Sequence, residues 1–289
     1  MKALLGLVLA AVLVAAAGFW LTRPVAFDDG EWNLAGDAEA GERIFNLAGC
    51  AGCHAEPGAQ GDARLVLAGG QQLVSPFGTF SVPNISTDPD VGIGNWSDAQ
   101  VASAIMLGTS PEGSHLYPAF PYAEYGLAER QDVADLIAYL RTLPASNQPS
   151  QPHDLSFPFN IRAGVGAWKL LNLPDGFTDI GPEDGRYVVE ALSHCAECHT
   201  PRNATGGLDR ARWMGGAPNP SGRGSIPNIT PAELDWSEED IAYYLQTGLT
   251  PDFDAAGGHM AEVVASLSQV RPEDRAAIAA YVKALPPAD

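Results

Sequence analysis

Basic residues are scarce in this chain. Its 289 residues hold 16 Lys and Arg against 35 Asp and Glu, a formal net charge of −19. Such a surface repels phosphates, which argues against nucleic acid as a partner and against docking on an anionic lipid surface. A positively charged protein partner is attracted instead at low ionic strength. Nucleotide and acyl chemistry are missing as well: there is no glycine-rich dinucleotide fingerprint, no phosphate loop and no serine elbow. Strand signals are also few, so the expectation is an all-α chain. Apolar residues at 46% and charged ones at 18% describe a folded protein, long enough for two domains. Cysteine is limited to four residues and methionine to four, so where they stand matters more than how many there are.

The N-terminus reads MKALLGLVLAAVLVAAAGFWLTRP, with no charge from Ala3 to Leu21. A spanning helix needs roughly 17–25 such residues, whereas a signal has an apolar core of roughly 7–15. The run therefore reads as an uncleaved anchor, with AAAG near Ala17 as the cut site of the competing signal reading. Lys2 and the terminal amine keep the start in the cytoplasm, and Trp20 suits the membrane interface. Everything after Arg23 is then exported, which predicts an inner-membrane protein whose body faces the periplasm.

The cysteines form two clusters, Cys50-Ala-Gly-Cys53-His54 and Cys195-Ala-Glu-Cys198-His199. Both are C-x-x-C-H, the attachment signature of c-type haem. Two thiols one helical turn apart can each form a thioether to a haem vinyl group, and the next histidine then offers its imidazole to the iron. A shared zinc site fits poorly, since paired C-x-x-C halves usually lie about 15–20 residues apart. A thioredoxin-like dithiol fits poorly too, for want of a βαβ frame. Two covalently bound haem c groups are expected.

The second motif follows the first by 145 residues (195 − 50), and more than the motif is repeated. VPNISTDP (82–89) returns as IPNITPAE (226–233), NWSDAQVASAIMLG (95–108) as DWSEEDIAYYLQTG (235–248), and DLIAYLRTLP (135–144) as AIAAYVKALP (277–286). Ser97 with Gln100, and Ser237 with Asp240, predict capping boxes, while Gly108 and Gly248 predict left-handed helix ends. Val133, Leu136, Ile137 and Leu140 make one apolar helix face, as do Ile278, Tyr281, Val282 and Leu285. Leading helices are expected over 38–47 and 183–192.

Each copy resembles a class I cytochrome c domain: leading helix, C-x-x-C-H, loop, capped helix, ligand loop and terminal helix. The pair resembles dihaem cytochromes c related to the cytochrome subunits of membrane-bound alcohol, aldehyde and gluconate dehydrogenases, which often carry three haems. The resemblance runs from about Asp37 to Pro286. It implies two tandem haem domains, over 36–146 and 181–289, joined by a linker over 147–180; ahead of them stands the apolar run read above as an N-terminal transmembrane helix (or signal) over 1–24. It also implies His54 and His199 as axial ligands, with a methionine before the terminal helix as the second.

In the second copy that methionine is Met260, with His259 and Met214 as rivals. In the first copy the matching position is Phe120, which has no donor atom. His115 in the same loop, Met106, or an open iron are the alternatives for haem 1. The connecting segment, residues 144–185, starts Pro- and Ser-rich and then carries a short apolar stripe, Ile161, Val165 and Trp168, flanked by Arg162 and Lys169, which is expected to pack on the neighbouring domains. Two haems in one chain predict transfer of single electrons between a donor, such as a dehydrogenase subunit, and a basic acceptor such as a cytochrome c or an oxidase of the respiratory chain. The alternative is a haem enzyme, peroxidase-like or acting on a small inorganic substrate, with haem 1 open and Glu112 or Glu124 as acid–base candidates.

Overall fold

The computed structural model describes residues 2–288. The Met1 amine, counted above with Lys2 as a cytoplasmic marker, lies outside them. Helix α1 (Lys2–Leu21) is followed by the first copy: α2 (Ala38–Leu47), α3 (Cys50–His54), α4 (Asp98–Leu107), α5 (Tyr122–Tyr125) and α6 (Arg130–Leu140). The connecting segment holds α7 (Gly164–Asn172). The second copy comprises α8 (Glu183–Tyr187), α9 (Ala196–His199), α10 (Glu238–Thr247), α11 (His259–Leu267) and α12 (Pro272–Lys283). From Leu4 to Leu21, α1 has a mean hydropathy of 2.5 and none of it is buried, so it is long and apolar enough to cross a membrane.

The all-α expectation needs correction. Strands β1 (Gln72–Ser75) and β2 (Gly78–Ser81) form an antiparallel hairpin, to which β3 (Asp154–Leu155) from the connecting segment adds a third strand. A second pair, β4 (Ala217–Pro218) and β5 (Ser225–Ile226), stands at the matching place in the second copy. These strands are too short for an alternating pattern to stand out. Gly78, at φ 124°, closes the first hairpin where a Cβ would come within 2.3 Å of the Asp154 carbonyl oxygen.

Each copy is built on one helix crossing. A Cβ at Gly41 would lie 2.0 Å from the Asp135 carbonyl oxygen, so α2 and α6 touch backbone to backbone. Gly185 makes the same approach to the Ala277 carbonyl oxygen at 2.3 Å, joining α8 to α12. Both capping boxes form, and Gly108 and Gly248 end their helices at φ 57° and 75°. The second leading helix changes character at Val188, where a π-helical turn carries the Ser193 N–H to the Val188 carbonyl. That turn buries Glu190, which accepts hydrogen bonds from Thr178 and from the Tyr281 hydroxyl.

Buried side chains of the two copies form one continuous core, running from Trp32 to Leu285. The copies meet through matched contacts. Arg43 of α2 grips Asp274 of α12 with Nη2 2.5 Å and Nε 3.0 Å from its carboxylate oxygens. In the reciprocal contact, the Tyr187 hydroxyl of α8 donates to Asp132 of α6 at 2.6 Å. Arg43 and Tyr187 occupy equivalent places in their copies, as do Asp274 and Asp132.

Candidate haem sites

Cys50 and Cys53 lie on α3, one turn apart, with His54 at its end; Cys195 directly precedes α9, which carries Cys198 and His199. All four thiols are free, with Cys53 and Cys198 exposed. Burial, and then the neighbouring thiol, pushes Cys50 and Cys195 up to about 12. The acids Glu262 beside Cys53 and Glu197 beside Cys198 also disfavour thiolates, which suits neither a reactive dithiol nor a zinc site, although Arg202 opposes the effect at Cys198. The two motifs do not pool their ligands: among the described residues no group of three His, Cys, Asp or Glu side chains could hold a metal ion.

The two histidines are held alike. His54 Nδ1 meets the Pro83 carbonyl oxygen at 2.9 Å, and His199 Nδ1 meets that of Pro227 at 2.9 Å. A carbonyl can only accept, so Nδ1 carries the proton and Nε2 keeps its lone pair for a metal. Burial lowers the basicity of both rings, against the opposing carbonyl bond, which favours the neutral ligand form. Gly69 and Gly216 donate backbone N–H groups to the His54 and His199 carbonyls at 2.7 and 2.8 Å, closing each loop behind its histidine.

The repeated V/I-P-N segment thus has a role that sequence reading missed. Pro83 and Pro227 orient the imidazoles, and the following asparagines hold the prolines. Asn84 Nδ2 donates to the Ser146 and Gln148 carbonyls, while Asn228 Nδ2 donates to the Ala288 carbonyl. Each asparagine also caps its own turn, with Oδ1 accepting from the N–H of Ser86 or Thr230 at 2.8 Å. The repeat was visible in the sequence, but the acceptor is a backbone atom with no side-chain signature.

Met260 stands in the first turn of α11, half-buried against the core, rather than in a loop. Its rival His259 is exposed, and Met214 is fully buried. The Met214 carbonyl accepts from Ile229 just as the Leu67 carbonyl accepts from Ile85, so Met214 has an ordinary core counterpart. Phe120, at the Met260 position of the first copy, packs its ring 5.6 Å from Tyr125 and 6.5 Å from Tyr122. Met106 is buried within α4. His115 is buried too, but its Nε2 lies 2.8 Å from the Thr22 carbonyl oxygen, next to the exit of α1, and its Nδ1 has no partner. No hydrogen bond or ring contact joins His115 to the first motif among the described residues.

The motifs meet at the interface between the copies. Burial and then the charge of Glu197 push the Cys198 thiol up, Arg202 opposes this, and Cys53 of the first motif adds a smaller upward push. The Ala48 carbonyl, at the end of α2, accepts from the Tyr125 hydroxyl at 3.1 Å and from His194 Nε2 at 3.2 Å, tying the two motif entrances together. Helix α11 of the second copy covers the first motif: a Cβ at Gly52 would lie 3.5 Å from Glu262 Cβ. Reciprocally, burial and then the charge of Glu197 in the second motif push Glu124 well above the usual carboxylate range. Glu112, the other acid candidate, is exposed.

A haem carries two carboxylates, and the first site offers a donor for one. Arg64 pairs with Glu262 at 2.5 Å through Nη1, while its Nη2 is buried with no partner. With two thiols one turn apart, an imidazole whose outer nitrogen is free and an unused guanidinium donor beside the motif, the residues fit the group.

Residues 38–144 and 183–286 match the family described as Cytochrome c. Over 287 residues the chain is 59% identical to a "Diheme cytochrome c-type" protein of Cereibacter sphaeroides, covering 96% of each. It is 38% identical over 259 residues to the fructose dehydrogenase cytochrome subunit of Gluconobacter japonicus, covering 85% of this chain and 52% of that one. With the gluconate 2-dehydrogenase cytochrome c subunit of Pantoea cypripedii the identity is 32% over 267 residues, covering 85% of this chain and 58% of the relative. The chain thus spans about half the length of these dehydrogenase subunits. Paired motifs, matched histidine supports and these relatives agree: the chain belongs to the cytochrome c family and carries two covalently bound haem c groups.

Proposed function

We propose that this protein is a membrane-tethered, periplasm-facing dihaem cytochrome of two class I domains, carrying single electrons from a dehydrogenase to a respiratory-chain acceptor. The observation that carries the reading is the meeting of the two attachment motifs: His194, beside the second, bonds the Ala48 carbonyl just before the first, and Glu262 of α11 lies against Gly52 within the first. Each haem, when bound, supplies a reversible one-electron iron couple. The chain's own part would be to hold two such groups at neighbouring sites, with His54 and His199 oriented by Pro83 and Pro227. Cys50, Cys53, Cys195 and Cys198 provide the thioethers, and Met260 the second axial donor of the second site. The acidic surface favours a basic protein partner. Dehydrogenase cytochrome subunits among the relatives support a donor of that kind. The test is photoreduction of the holoprotein at several protein concentrations. Redistribution between the two haems at a rate independent of concentration supports a wire within one chain, and a rate proportional to concentration rejects it.

A second reading is favoured by Phe120. With no donor there, and with His115 Nε2 engaged at Thr22, the first site is left open to a small ligand. We infer that His115 holds the chain at the anchor's exit and does not ligate. Low-temperature magnetic spectra of the oxidised wild type and of His115→Ala decide between the two. The expected result is one high-spin haem in both. Two low-spin haems in the wild type, with one lost in the variant, would make His115 the ligand and remove the enzyme reading.

A further inference from the structure

We propose that the connecting segment around α7 lies on the bilayer surface and orients the haem domains above the membrane. The inference rests on the tethered reading given above. The segment around α7 is turned partly inside out. Its cations point inward: Lys169 Nζ donates to the Leu107 and Gly108 carbonyls at the end of α4, and Arg162 donates to the His115 carbonyl. Several of its apolar residues point outward while Val165 packs inward: Ile161 is 51%, Leu170 60% and Leu171 70% exposed, and Phe157 just upstream is 79% exposed. Burying cations while presenting leucine and phenylalanine is unfavourable in water and suits an apolar neighbour.

What covers the face is indicated by its place. A Cβ at Gly166 would lie 2.2 Å from the Thr22 carbonyl oxygen, so α7 is pressed against the chain one residue after α1 ends. If α1 crosses the membrane, α7 stands at the point where the chain leaves it, continuous with the lipid-facing surface of the anchor. The whole-chain charge speaks against anionic lipid, but the local charge does not. Residues 145–174 carry one acid, Asp154, and Arg23 adds a cation at the anchor's exit, while Asp28, Asp29, Glu31 and Asp175 lie just beyond these stretches. The segment itself is nearly free of acids, which leaves its apolar face compatible with lipid headgroups.

The test uses the holoprotein in phosphatidylethanolamine–phosphatidylglycerol vesicles, with nitroxide labels introduced singly as Leu171→Cys, Val12→Cys in the anchor and Glu238→Cys in the exposed first turn of α10. Collision with oxygen and with a water-soluble nickel complex reports the surroundings of each label. At position 171 the oxygen-to-nickel ratio is expected to exceed that at 238 several-fold and to approach that at 12. An aqueous ratio at 171 beside a lipid ratio at 12 overturns the inference while leaving the tether intact. Aqueous ratios at both positions reject the tether, and the inference falls with it. Strong dipolar broadening between 171 labels shows a second copy on the face and also overturns the proposal.

Discussion

Removing the carboxylate of Asp274 should loosen the interface that holds the two motifs face to face. Asp274 is buried, its side chain only 5% exposed, between Arg43 and Arg271. Burial by itself raises its pKa, but the hydrogen bonds and charges of the two arginines outweigh that and hold the carboxyl below its ordinary 3.8. Breaking a fully buried pair costs about 3–5 kcal/mol. Here the arginines are 29% and 63% exposed, so water recovers part of the loss. Asp274→Asn should therefore cost about 2 kcal/mol at pH 7, a fall in Tm of about 4–8 °C for a cooperative unit of this size. A depressed carboxyl contributes its stability above its unfolded pKa and loses it as pH falls through the folded one. The gap between wild type and variant should be constant from pH 7 to about pH 5 and close below about pH 4. Thermal unfolding of both holoproteins by circular dichroism across that range is the assay. A gap that ignores pH, or none at pH 7, would refute the reasoning.

Gly41→Ala should prevent the close crossing of α2 and α6, since the new methyl would sit 2.0 Å from a carbonyl oxygen. A loss of about 3 kcal/mol or more is expected in denaturant titrations, and a loss under about 1 kcal/mol would mean the helices part easily. Phe120→Met should restore a thioether donor to the first site, doubling the red charge-transfer absorption of thioether-bound ferric haem, while Met260→Ala should abolish it in the wild-type background. Lys169 is lowered by burial to about 8, so the folded protein releases its proton before the unfolded chain does. This group therefore makes stability rise between about pH 8 and pH 10, and Lys169→Met should flatten that slope in unfolding measurements.

The cofactors, the two-copy architecture, the helix caps and the anchor candidate were all legible in the sequence. Each depends on residues close together along the chain: thiols one turn apart before a histidine, a serine three residues from its capping partner, and an uninterrupted apolar run. The sheets were missed because β3 and β5 are two residues long and act only by pairing with strands elsewhere. The apolar stripe of α7 was expected to pack inward. Val165 does, and Trp168 does in part, but Ile161 turns outward, because Lys169 and Arg162 find carbonyl partners inside that no local pattern records.

The sequence by itself determined which atoms can be joined to haem and how many groups the chain carries, because attachment is short-range chemistry. Only the tertiary structure decided what supports those atoms. Arg43 and Asp274 are 231 residues apart, and the acceptors for His54 and His199 are backbone carbonyls. A carbonyl is present at every position, so only the folded chain distinguishes the one that faces an imidazole.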